Sequence, residues 1–118
     1  MQLITQVQHS QLIANGVAAY AAARAGVDFD PVPVVKLFIR NGCGRWLLTE
    51  IDHFDNDRAN GLCGSGIGLP DLGYVSLRGL EQPQGQYVLR VEPAPLFVAD
   101  RPISAYADEA RKRGLIIT

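Results

Sequence analysis

Four carboxylates fall within eight positions, Glu50, Asp52, Asp55 and Asp57, and no cation interrupts them before Arg58. Oxygen ligands at this density suit a hard cation such as Mg²⁺ or Ca²⁺. His53, in their midst, adds a nitrogen better matched to a transition metal. The calcium-loop pattern fails, however. Counted from Asp55, Ala59 stands where a third ligand belongs, Gly61 arrives one place late and Gly66 fills the twelfth position. A polar hairpin tip accounts for the run without any metal.

The other chemistry-bearing residues are sparser. Gly64-Ser65-Gly66-Ile67-Gly68 has the glycine content of a phosphate-cradling loop. Such a loop runs directly into a helix and usually carries a Lys, whereas Pro70 and a strand follow here. Ser65 lies in Gly-Ser-Gly, which is not a nucleophile elbow. If residues 53–57 close a hairpin, Cys63 sits opposite Leu47, which leaves His53 roughly 20 Å away and Cys43 roughly 13 Å away at strand rise. Neither a Cys–His pair nor a disulfide results. Cys63 reads as a small core residue. Arg111-Lys112-Arg113 ends a helix, where cations complement the dipole. Trp46 and Tyr74 have faces on which a base could stack, but no Lys or Arg is interleaved with them.

The elements that must position these residues are legible. Residues 5–25 form a helix: Thr5 and Gln8 have capping-box spacing, and Leu12, Ile13, Gly16, Val17, Tyr20 and Ala23 recur at helical intervals. Gly26 stands at the C-cap. Gly16 inside the helix points to close backbone packing. Residues 34–40 form the first strand, and Asn41-Gly42 turns the chain into a second strand over 45–52. Alternation there puts Leu47, Thr49 and Ile51 on one face and Trp46, Leu48, Glu50 and Asp52 on the other. Further strands are expected over 58–63, 74–77 and 86–91, with a helical turn after residue 78. Pro102 opens the last helix; Ile103, Tyr106, Ala107 and Ala110 are its apolar stripe, and Gly114 ends it. The fold class is α+β: a single domain over residues 1–118, with an antiparallel sheet of four to five strands and a helix from each end of the chain packed on it.

Composition excludes several classes. With 11 Lys plus Arg against 12 Asp plus Glu, the net charge is −1. A dedicated nucleic-acid binder shows a basic surplus, and a whole-surface DNA mimic a far larger acidic one. No leader-like or membrane-spanning run is expected, which predicts a cytoplasmic protein without membrane partners and with both thiols reduced.

Trp46-Leu47-Leu48-Thr49-Glu50-Ile51-Asp52, Gly61-Leu62 and Asp71-Leu72-Gly73-Tyr74-Val75-Ser76-Leu77 together resemble the DUF2958 family. Residues 31–38 and 102–106 fit as well, so the resemblance covers roughly residues 10–114. It implies a small bacterial protein of unknown function carried on plasmids, phages and integrated elements, and it implies no catalytic residue and no cofactor. One segment departs: Pro93-Ala94 follows Val91-Glu92 where the family pattern has Arg-Asp.

Two functions follow. One is a non-catalytic accessory protein whose binding surface comprises Trp46, Thr49, Glu50, Asp52, Asp71 and Tyr74, with a protein or nucleic-acid partner or a second copy of itself in a homodimer. The other is a metal-dependent hydrolase or nuclease-like enzyme in which Glu50, Asp52 and Asp71 converge on a divalent ion.

Overall fold

The computed structural model describes residues 3–66, 68–82 and 89–118. Helix α1 spans Gln6–Ala25. Thr5 caps it, its side chain accepting from the Gln8 N–H while Gln8 Oε1 accepts from the Thr5 N–H, so the capping box closes. Gly26 ends the helix in the left-handed conformation, φ 69°. Among the described residues five antiparallel strands follow: β1 Val35–Ile39, β2 Arg45–Ile51, β3 Arg58–Gly64, β4 Asp71–Ser76 and β5 Val91–Pro93. Their spatial order is β4-β3-β2-β1-β5. A single helical turn, α2, covers Leu77–Leu80, and α3 covers Ile103–Arg113.

The two long helices lie on opposite faces of the sheet. Leu12 of α1 joins Val35, Leu37, Ile39, Trp46, Leu48 and Ile51 in one core. Ile103, Tyr106, Ala107 and Ala110 of α3, the stripe expected from the sequence, pack with Leu47 and Leu62 in the other. Successive strand residues point to opposite faces, so Leu47 and its neighbours Trp46 and Leu48 belong to different cores. Only Leu12 and Gly16 of α1 are buried, so most of that helix is solvated. Pro102 at the N-cap of α3 has no side chain able to cap. Asp30 replaces it from the chain before β1, accepting from the Ser104 N–H at 3.0 Å and from its hydroxyl.

Several expectations need correction. The register of β2 on β3 is one residue off: Cys63 faces Trp46, and Leu47 faces Leu62. The cause is a bulge at Thr49, where the pairing shifts between Leu48 and Glu50. Asp52 and Arg58 close the hairpin, as the loop 53–57 requires, but the extra residue displaces everything beyond it. The same bulge moves Ile51 from the face of Leu47 to the core of Trp46 and Leu48. β4 begins at Asp71 rather than Tyr74, because β3 extends through Gly64 and its ladder continues to the Cys63–Asp71 pair. The strand expected over 86–91 falls partly on residues 86–88, outside the described residues. The described strand β5 runs into Pro93, tolerated because β5 is an edge and Pro need donate no ladder bond there.

Both cysteines are free, Cys43 exposed and Cys63 half-buried. Burial pushes the Cys63 thiol up to about 11. The thiolate is the nucleophile, so alkylation by iodoacetamide at neutral pH is expected to modify Cys43 well before Cys63. Equal rates, followed by mass spectrometry, would contradict this placement.

Candidate functional site

The end of β2 is fixed from two sides. The Thr49 side chain is buried; its Oγ1 lies 3.0 Å from Glu50 Oε1 and 3.1 Å from the Asn60 carbonyl, one proton serving two acceptors. The Thr49 carbonyl in turn accepts from Asn15 Nδ2 of α1 at 2.9 Å. At the next residue of α1, Gly16 rests against the Ile51 carbonyl so closely that a Cβ there would overlap the oxygen. The bulge and the glycine together let helix and strand touch.

This contact opens a cleft of about 230 Å³ between α1 and the hairpin after β2. Glu50 and Asp52 supply carboxylates to it. Tyr20, His53 and Phe54 supply rings, and Gly16, Ala19 and Ala23 leave the helix side unobstructed. The rings form a mutual cluster, with centroids 5.2 Å apart for Tyr20–His53, 4.9 Å for Tyr20–Phe54 and 4.7 Å for His53–Phe54. Phe54 is nevertheless 73 % exposed. Arg24 extends the cluster, its guanidinium 5.7 Å from the Tyr20 ring centroid.

Glu50 is half-buried, and that desolvation raises its carboxyl above the ordinary range; the Thr49 hydroxyl opposes the shift and the Asp52 charge adds to it. Asp52 Oδ2 accepts from the Phe54 N–H at 3.0 Å and so fixes the turn that presents the rings. Among the described residues, neither Glu50 nor Asp52 forms an ion pair, whereas Asp57 and Asp71 do.

The remaining residues of the expected set lie elsewhere. Trp46 is 6 % exposed and belongs to the core, as its size beside Leu48 requires. Asp71 bonds Arg111 of α3 at 3.0 Å, and the guanidinium holds its carboxyl below the usual range. It faces Cys63, while Glu50 faces Asn60, which faces Tyr74. Two strand spacings across β3 and three residues along the ladder therefore separate Asp71 from Glu50, more than about 10 Å. Glu50, Asp52 and Asp71 do not converge, and among the described residues no three metal-ligating side chains come together. Tyr74 is 62 % exposed on the edge strand β4, with Arg58 stacked 3.8 Å from its ring centroid.

The tip carboxylates are absorbed locally. Asp55 accepts from the Asp57 N–H, and Asp57 accepts from the Ser76 hydroxyl and the Arg78 N–H, tying β4 and α2 to the hairpin. Those bonds hold the Asp57 carboxyl below the usual range. In the basic run, Arg111 pairs with Asp71 and Asp108, and Arg113 with Glu109.

Tyr20 and Phe54 are absent from the site expected from the sequence, and His53 figures there only as a candidate metal ligand. Tyr20 sits one turn after Gly16, and a ring one turn beyond a glycine that admits a strand was the available signal.

A family model described as a protein of unknown function (DUF2958) matches residues 3–117. No curated protein and no solved structure matches the chain. Among the described residues, no helix is long and apolar enough to cross a membrane.

Proposed function

Because the chain belongs to the DUF2958 family, whose function is unknown, and because its β2 end carries an acidic, ring-lined cleft, we propose that it is a non-catalytic interaction module that holds a basic segment of a protein partner. The observation that carries this reading is Glu50: a half-buried carboxyl beside Asp52, with no cation paired to either among the described residues. Two neighbouring carboxylates suit a Lys or Arg side chain, and ring faces bind the same cations through their quadrupoles. Phosphate backbones would be repelled by this charge, which favours a protein over nucleic acid. The hydrolase alternative draws no support from the position of Asp71. A bacterial, cytoplasmic accessory role for a mobile element is the setting we propose for such a module.

The test is amide chemical-shift mapping with a short Lys/Arg-rich peptide. Shifts are expected to concentrate at residues 16–23 of α1 and at 50–54. Shifts spread over the surface, or centred on Asp71 and Tyr74, would contradict the reading.

The pH dependence of the site has a defined sign. A carboxyl whose pKa is raised in the folded state favours folding only when protonated. Glu50→Gln is therefore expected to stabilise the protein at neutral pH. The gain should be small because half of the group is solvated, and it should shrink as pH falls through the raised pKa. A loss of stability at neutral pH, measured by urea denaturation, would show that the Glu50 charge is structural.

A further inference from the structure

α3 covers only part of its face of the sheet. It packs on Leu47 and Leu62 and leaves the same face of β1 open, where Lys36, Phe38 and Arg40 alternate. The segment from Pro93 to Phe97 forms a wall beside this face, and the result is a groove of about 550 Å³, within the range of small-ligand sites. Its lining includes Pro93 and Ala94.

The groove combines apolar surface with positive charge that Asp and Glu side chains only partly balance among the described residues. Phe38 is half-buried in its floor, and Leu96, 92 % exposed, projects at its rim. Arg40 is neutralised by a two-pronged pair with Glu92, both bonds 3.0 Å. Lys36 and Arg45 are different. Among the described residues no Asp or Glu side chain pairs with either; Lys36 Nζ reaches a main-chain oxygen of Thr118 at 3.3 Å, and Arg45 Nη1 donates to the carbonyls of Ile39, Gly42 and Gly44. Lys36 faces Leu47 and Arg45 faces Phe38, so the two cations are diagonal neighbours across the β1–β2 ladder. Such neighbours stand about 7–8 Å apart, somewhat less at Cβ, a span that one carboxylate can bridge with long side chains. Burial and the Arg45 charge both lower the Lys36 pKa, so an anion there would relieve an existing repulsion.

We propose that this groove binds a small amphiphilic carboxylate, its anionic head between Lys36 and Arg45 and its apolar tail along Phe38, Leu96 and Phe97. Charge complementarity sets the sign of the head, and the apolar wall sets the character of the tail. The site uses none of the residues of the Glu50 cleft, so the two readings stand or fall separately.

The test is calorimetric titration of the full chain with octanoate, with acetate and octanol as the tail-less and charge-less controls. Octanoate is expected to bind, and each control to bind at least about tenfold more weakly. Lys36→Gln and, independently, Leu96→Ser are each expected to weaken octanoate by about tenfold with the circular dichroism spectrum unchanged. Arg45 is left intact because it holds the turn after β1. The Glu50→Gln, Asp52→Asn double variant should bind octanoate as the parent does. No octanoate binding, equal binding of octanol, or octanoate binding indifferent to both Lys36→Gln and Leu96→Ser would overturn the proposal.

Discussion

Gly16→Ala is expected to destabilise the protein by at least about 2 kcal/mol. Helix propensity argues for the opposite sign: alanine in a helix interior is favoured over glycine by about 1 kcal/mol. Packing decides the outcome. The new Cβ would overlap the Ile51 carbonyl oxygen, a backbone atom that no rotamer change can move aside. α1 would have to lift from β2, and with it the Asn15–Thr49 bond and the seat of Leu12 in the core. The helix side of the Glu50 cleft would move too, so binding at that cleft should fall along with stability. Urea denaturation gives the sign directly, and a stabilised variant would mean that helix and strand are not in contact here.

Trp46→Ala is expected to cost about 3–5 kcal/mol, the range for deleting a large buried aromatic. Its ring packs in the core on the α1 side and also against Gly44, where an added Cβ would meet the ring. The cavity would open at the centre of the sheet, opposite Leu37 on β1 and Cys63 on β3. The neighbouring strands cannot both close over it without losing their ladders. Cys63 should then become accessible, and its alkylation should accelerate in the variant. An unchanged denaturation midpoint would show that Trp46 is not part of the core.

Both effects trace to features visible in the sequence. A glycine inside an alanine-rich helix and a lone Trp beside Leu48 each signalled close packing. The capping box at Thr5, the stripe of α3 and its end at Gly114 were equally legible, because each depends on residues three or four apart. The bulge at Thr49 was not. Nothing local distinguishes Thr49 from a regular strand residue. It bulges because Ile51 is held in the Trp46 core while the hairpin closes at Asp52–Arg58, and those two demands conflict by one residue. That single shift misplaced Cys63 and the face of Ile51. It did not separate Glu50 from Asp52, which line one cleft.

The candidate site was legible only in its carboxylates. Asp71 looked equivalent to Glu50 and Asp52 by type, but its position depends on how far β4 runs along β3, a long-range matter. The rings of Tyr20, His53 and Phe54 meet only because α1 crosses the end of β2, and no spacing within the chain records that crossing. Asp55 and Asp57 resembled ligands and are instead turn acceptors, the role that Asx side chains take at a hairpin tip.

The most direct test of the Glu50 cleft measures stability and binding on the same sample of a Glu50→Gln, Asp52→Asn double variant. Stability is read by urea denaturation and affinity by calorimetry with the Lys/Arg-rich peptide. A functional cluster is held at some cost to stability, so the variant is expected to be at least as stable as the parent while its affinity falls by about tenfold or more. A destabilised variant that still binds the peptide as tightly as the parent would show that the two carboxylates hold the hairpin together and take no part in recognition.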